Sequence, residues 1–280
     1  MNINFIISRN NFIPLCQSVF KLKFPFLLDE QKKNVYNIQN KFTTRKQMVY
    51  FDAHCHIQPK TQFVNAQKAG VKYFFCNATH PDNWQSVCTL NQSIAGVFPC
   101  LGIHPWFIQN LPSNWINQLH QLLETYPEMM IGEIGLDGTH PNLEQQANIF
   151  EICLKTAQKY KRPAHIHGHK AWSTILNFLK CYPNLVCVLH RFGGNDALVR
   201  QFLKFPYVYF SVMHAKPVRF IPNNRLFIES DAPDGLNFSE KIIEFIQQNQ
   251  INPHVLYQNL IQFSELFPAL KPYIDKGKNL

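Results

Sequence analysis

Four histidines and two carboxylates stand where short apolar runs end, and their types suit a divalent-metal site. The first run closes in Asp52-Ala53-His54-Cys55-His56. Strand alternation puts His54 and His56 on one face, so both imidazoles reach one ion. A later run ends in Gly132-Glu133-Ile134-Gly135-Leu136-Asp137, a carboxylate flanked by glycines that let other groups come close. Three more end in His165-Ile166-His167-Gly168-His169, in His190, and in Glu229-Ser230-Asp231. Taken singly, a strand-end histidine is more often an ordinary polar residue with satisfied bonds, and a lone His-x-His says little. The joint pattern carries the reading, because burying two carboxylates uncompensated is costly and divalent cations compensate them. Nitrogen and oxygen ligands without thiolates suit Zn, Mn, Co, Ni or Mg. So many ligands point to two ions, with Glu133 bridging.

The elements that must hold these groups are eight apolar runs, at 48–53, 71–78, 95–103, 129–135, 162–167, 185–190, 207–212 and 225–230. Amphipathic stretches at 62–69, 82–93, 113–125, 142–160, 170–181, 195–204 and 213–219 separate them, and two more follow at 238–249 and 253–267. This alternation predicts an α/β fold of parallel strands joined by right-handed crossovers, with strands covered on both faces. Residues 48–280 have the length of a closed (β/α)8 TIM-like barrel, in which catalytic side chains sit at the carboxyl ends of the strands. An open doubly wound sheet would need a phosphate-cradling glycine loop after the first strand, where this chain has HCHIQPK.

HxH after the first strand, GEIGLD after the fourth, Pro163 to His167, LHRFGG and ESDAPD, in this order, resemble the TatD family of metal-dependent hydrolases. The similarity runs from about residue 49 to 235, and more loosely beyond. It implies a barrel, a divalent-metal site and DNase or other phosphoester hydrolase activity. Carried over position by position, the resemblance implies one ion on His54, His56, Glu133 and Asp231, and a second on Glu133, His167 and His190. His104, in LGIHPW, matches the family's His-Pro motif and would contact a substrate phosphate. Asp231 would take the proton of the attacking water, which makes it, with Glu133, the catalytic pair. Arg191 and His169 flank the site and could meet phosphate charge.

Some positions depart from the family pattern. Arg191 replaces a small residue, His169 stands where arginine is common, the loop after Asp234 is short, and NLIQFSELF replaces an Asn-Ala-like segment. These leave substrate preference open while every ligand is present.

The 280 residues are 46% hydrophobic and 16% charged, which excludes a disordered chain. No apolar run has the length of a membrane span, and no obligate protein partner is implied. Eight cysteines without a C-x-x-C pair read as reduced thiols of an intracellular, cytoplasmic protein. Residues 1–47 carry eight Lys/Arg and two acids, so +6 of the formal +9 lies there and only +3 on residues 48–280. The leader reads as a disordered tail, an early start before Met48 or an organelle-targeting segment. With so little charge on the body, processing of DNA ends or short single strands fits better than wrapping duplex. The alternative keeps the metals and changes the bond: a deacylase acting on aminoacyl-tRNA or another acyl substrate.

Overall fold

Eight strands pair in parallel and in chain order, from β1 to β8. They are β1 (Tyr50–Cys55), β2 (Val71–Asn77), β3 (Val97–Leu101), β4 (Met130–Asp137), β5 (Ala164–His169), β6 (Cys187–His190), β7 (Val208–Val212) and β8 (Leu226–Ile228). Helices α1 (Lys60–Ala69), α2 (Pro81–Ser93), α3 (Trp115–Thr125), α4 (Leu143–Tyr160), α5 (Trp172–Leu179), α6 (Asp196–Phe202) and α7 (Ala215–Val218) lie between successive strands. Three more, α8 (Phe238–Gln248), α9 (Pro253–Leu266) and α10 (Lys271–Ile274), follow β8. This is the α/β barrel that the alternation predicts. The structure is a computed structural model and describes residues 48–56, 59–232 and 238–274. The readings of residues 1–47 and of the loop after Asp234 fall outside the described residues.

Two expected helices are shorter than their periodicity suggests. The stretch from 170 begins as α5 only at Trp172, because Lys170 takes a left-handed φ of 50°. The stretch from 213 shrinks to α7, a single turn containing Pro217, a residue that disfavours helix in the position before it.

Where β8 meets β1, side chains hold the barrel together. Ser230 donates to the Asp52 carboxylate from its backbone nitrogen (2.9 Å) and its hydroxyl (2.5 Å), and the Asp231 nitrogen donates to the His54 carbonyl (3.0 Å). Burial pushes the Asp52 carboxyl up to about 7, against these bonds, which favour its ionised form. Aromatic rings from several strands and from α9 pack together in the core. Phe51 meets Phe227 edge-on at 4.9 Å, and Phe263 of α9 packs within 5.5 Å of Phe75 and 5.4 Å of Tyr209. Asn259, in the NLIQF stretch of α9, donates to the carbonyls of Asn223 and Leu226 and so ties that helix to β8.

Strict alternation would send Phe51 and His54 to opposite faces of β1. Pairing with β2 slips between Asp52 and Cys55, and β4 slips against β5 between Ile131 and Ile134. Such bulges re-aim side chains at a barrel rim. The first spans His54, and the second spans Glu133.

Candidate metal centre

Glu133 is the hub of the carboxyl-terminal face. Its side chain is buried, with one oxygen turned to each of two groups of imidazoles. Oε2 lies 3.4 Å from His54 Nε2 and 3.6 Å from His56 Nε2. Oε1 lies 2.8 Å from His167 Nδ1 and 3.5 Å from both His104 Nε2 and His190 Nε2. The flanking glycines make room for this. A Cβ on Gly132 would come within 2.6 Å of His165 Cβ, and one on Gly135, at φ 151°, would collide with the His167 carbonyl.

Asp231 stands opposite, its backbone left-handed at φ 45°. Oδ1 is 3.4 Å from His56 Nε2 and 3.8 Å from His190 Nε2, while Oδ2 accepts from the Arg191 guanidinium at 2.8 Å. His190 lies stacked on His54, ring centroids 3.5 Å apart. Among the described residues, donor atoms of His54, His190 and Asp231 converge, as do those of His54, His56 and Glu133, and of His104, Glu133 and His167. His190 thus sits between the expected two sites, in reach of Asp231 as well as Glu133. His169 projects from the end of β5 into solvent at the mouth of the cleft.

Hydrogen bonds on the outer nitrogens sort these rings by tautomer. His56 Nδ1 donates to the Asn77 carbonyl at 3.0 Å, and His190 Nδ1 to the Glu229 carboxylate at 3.0 Å. Both rings therefore turn Nε2 to the carboxylates, the arrangement by which second partners orient metal-binding histidines. His104 is the opposite case. It caps the short turn Pro105–Phe107, its Nδ1 accepting from the Trp106 nitrogen at 3.1 Å, so the neutral ring carries its proton on Nε2. His104 is built to donate.

The electrostatics follow from burial against mutual charge. Burial alone would raise the Glu133 carboxyl, but the imidazoles of His104, His190 and His54 and the His167 bond hold it well below its ordinary range. Burial works against a charged His56, yet the Asp231 bond and the charge of Glu133 outweigh it and raise the ring to about 9. His190 also rises to about 9, through the charges of Glu229 and Glu133 acting against burial. His54 falls to about 4 through burial and the neighbouring His190, and His104 falls to about 4 through burial. A field that holds second protons on His56 and His190 favours any cation there.

The donor set fits divalent ions. It offers nitrogen and carboxylate oxygen without thiolate, and its central carboxylate is deeply buried. Among the described residues, neither ring nitrogen of His54 has a hydrogen-bond partner, and His167 Nε2 has none. Buried polar atoms left in this way are costly unless something coordinates them.

Four groups around the site went unassigned in the sequence reading. Glu229 accepts from the Arg191 nitrogen at 2.6 Å as well as from His190, which sets both neighbours at once. Asp137 accepts from the Trp106 indole at 2.7 Å and from the Thr139 hydroxyl at 2.6 Å, and Gln146 of α4 holds the Asp137 nitrogen at 2.9 Å. Asp52 braces β1 against β8. His165, two residues before His167, lies buried, and among the described residues neither of its ring nitrogens has a hydrogen-bond partner. The presence of Glu229 and Asp137 in strand-end motifs was the available signal; their partners were not readable.

Above the hub opens a cleft of about 800 Å³, whose lining includes His56, His104, Trp106, His169, Arg191 and Asp231. No described helix is long and apolar enough to cross a membrane.

Comparisons with known proteins agree with this architecture. The chain is 27% identical over 206 residues to an uncharacterized metal-dependent hydrolase, YjjV, of Escherichia coli, covering 66% of this chain and 80% of that one. It is 26% identical over 214 residues to the human protein named deoxyribonuclease TATDN3, covering 65% and 77%. The crystal structure of the Escherichia coli TatD homologue YjjV superposes with a TM-score of 0.68 at 21% identity, over 78% of this chain and 97% of that one. Residues 51–261 match the family described as TatD related DNase. The chain belongs to that family and is a metal-dependent hydrolase.

Proposed function

We propose that the chain cleaves phosphoester bonds of DNA, at ends or in short single strands, with two divalent ions held on His54, His56, Glu133, His167, His190 and Asp231. The observation that carries this reading is Glu133, buried with Oε2 turned to His54 and His56 and Oε1 to His104, His167 and His190. A divalent pair there supplies Lewis acidity, a lowered water pKa and charge to meet the phosphoryl oxygens. The chain supplies the rest. His104, neutral with its proton on Nε2, donates to a phosphoryl oxygen, which its Nδ1 bond to the Trp106 nitrogen keeps it oriented to do. Asp231, whose carboxyl is held well below its ordinary range by the His56 bond and neighbouring imidazoles despite burial, stays ionised to accept the proton of the attacking water. Arg191, bonded to Asp231 and half exposed at the rim, can exchange that carboxylate for substrate phosphate. His169 adds a further polar group at the rim. The family relationship and the deoxyribonuclease name of the human relative support DNA as the substrate.

The deciding assay compares a DNA oligonucleotide with an aminoacyl-tRNA at equal enzyme concentration. Chelation should abolish DNA hydrolysis, and Mg2+ or Mn2+ should restore it. Deacylation of the tRNA with no cleavage of DNA would replace this reading with the acyl one. Glu133→Ala and Asp231→Asn should each lose roughly three orders of magnitude in rate, the scale of several kcal/mol of transition-state stabilisation.

A further inference from the structure

We infer that Trp106, together with Phe107, forms a stacking site for a nucleobase beside the scissile phosphate. This rests on the nuclease reading above and adds to it a base-recognition site. The chain has four tryptophans. Trp84, Trp115 and Trp172 are buried in the core, whereas Trp106 is 50% exposed and its neighbour Phe107 46%. An indole contributes most to stability when buried, so two adjacent aromatic rings left open at the mouth of a cleft need another account.

The indole is held in place. Its Nε1 donates to Asp137 Oδ2 at 2.7 Å, and His140 lies parallel on it with centroids 4.7 Å apart. Asp137 is itself fixed by Thr139 and by Gln146. A ring fixed before binding loses little conformational freedom when a ligand stacks on it. The ledge also stands beside the phosphate-facing donor: the ring centroids of His104 and Trp106 are 5.1 Å apart and those of His104 and Phe107 are 5.7 Å apart. A cleft of about 800 Å³ holds far more than a phosphate. The group flanking the phosphate must therefore lie along a wall, and the wall beside His104 is aromatic. Every base has a π-face, so such a ledge binds bases without selecting among them.

The test uses the full-length protein and two short oligonucleotides with the same phosphates, one carrying bases and one built of abasic tetrahydrofuran nucleotides. Wild type should show a KM for the abasic strand roughly ten- to a hundredfold above that for the base-bearing strand, the worth of one stacked base. In Trp106→Ala the ratio should collapse toward one. Trp106→Phe, which keeps a ring and loses the indole N–H, should retain part of it. A second readout is tryptophan fluorescence: thymidine monophosphate should quench wild type while deoxyribose 5-phosphate does not, and Trp106→Phe should lose the quench. Cleavage of both strands with one KM would leave the nuclease reading standing and overturn the stacking site. A wild-type ratio preserved in Trp106→Ala would overturn it equally. Cleavage of neither strand would overturn the nuclease reading and this inference with it.

Discussion

Glu229→Gln is the substitution that most sharply tests how the metal centre is organised. The buried carboxylate accepts two hydrogen bonds, from His190 Nδ1 at 3.0 Å and from the Arg191 nitrogen at 2.6 Å. Gln has nearly the same shape but one acceptor oxygen and an amide that only donates. If the oxygen stays with the Arg191 nitrogen, the amide faces His190 Nδ1, which must then give up its proton. The proton moves to Nε2, the atom turned to Glu133 and Asp231, where it competes with a cation. If the oxygen turns to His190 instead, the Arg191 N–H is left unpaired, which costs about 1–3 kcal/mol and loosens the loop that carries Arg191. Either outcome weakens metal binding, by roughly 10- to 100-fold for loss of such an outer partner, or about 1.4–2.7 kcal/mol. The assay is calorimetric titration of Zn2+ or Mn2+ into metal-stripped protein. Glu144→Gln, on the exposed first turn of α4, serves as the control and should bind like wild type. A wild-type dissociation constant for Glu229→Gln would refute the reasoning, because it would mean that neither the His190 tautomer nor the Arg191 loop that Glu229 holds governs metal binding.

Three further outcomes follow from the same geometry. Asp52→Ala strips acceptors from the Ser230 nitrogen and hydroxyl and from the His54 nitrogen, and should cost about 3 kcal/mol in a urea melt. Asp52→Asn, which can still accept from one side and donate to the Ser230 hydroxyl, should cost much less; equal losses would mean that the Asp52 bridge is not what braces β1 against β8. Gly135→Ala places a methyl group against the His167 carbonyl at a left-handed φ, and should destabilise the fold by about 2–3 kcal/mol while weakening metal binding. A neutral melt for this variant would show that β4 can shift without cost. Chelation should lower the melting temperature of wild type, since saturation at a hundred times the dissociation constant adds about 2.7 kcal/mol; in Glu133→Ala, chelation should shift the melting temperature far less.

The fold was legible in the sequence, and so was the gathering of histidines and carboxylates at strand ends, because both depend on local rules. Alternation of apolar runs with amphipathic stretches requires no knowledge of contacts, and strand ends are where barrels of this kind place their chemistry. How these side chains meet was less legible, and slips in strand register are part of the reason. Simple alternation along β1 cannot put both Phe51 and His54 inside the barrel, and no sequence period announces the slip between Asp52 and Cys55 that allows it. His190 stacks on His54 only because both strands deliver their rings to one point, so its proximity to Asp231 as well as to Glu133 depends on the assembled barrel. His104 shows the same limit in its chemistry. Its His-Pro motif implies a phosphate contact, while its donor atom falls within reach of Glu133 and His167. What separates it from His56 and His190 is a single hydrogen bond on the far nitrogen. In His56 and His190 that nitrogen donates to a carbonyl or carboxylate, whereas in His104 it accepts from a backbone N–H. Residue type alone therefore does not distinguish these three rings. The partner of the outer nitrogen does, and only the fold supplies that partner.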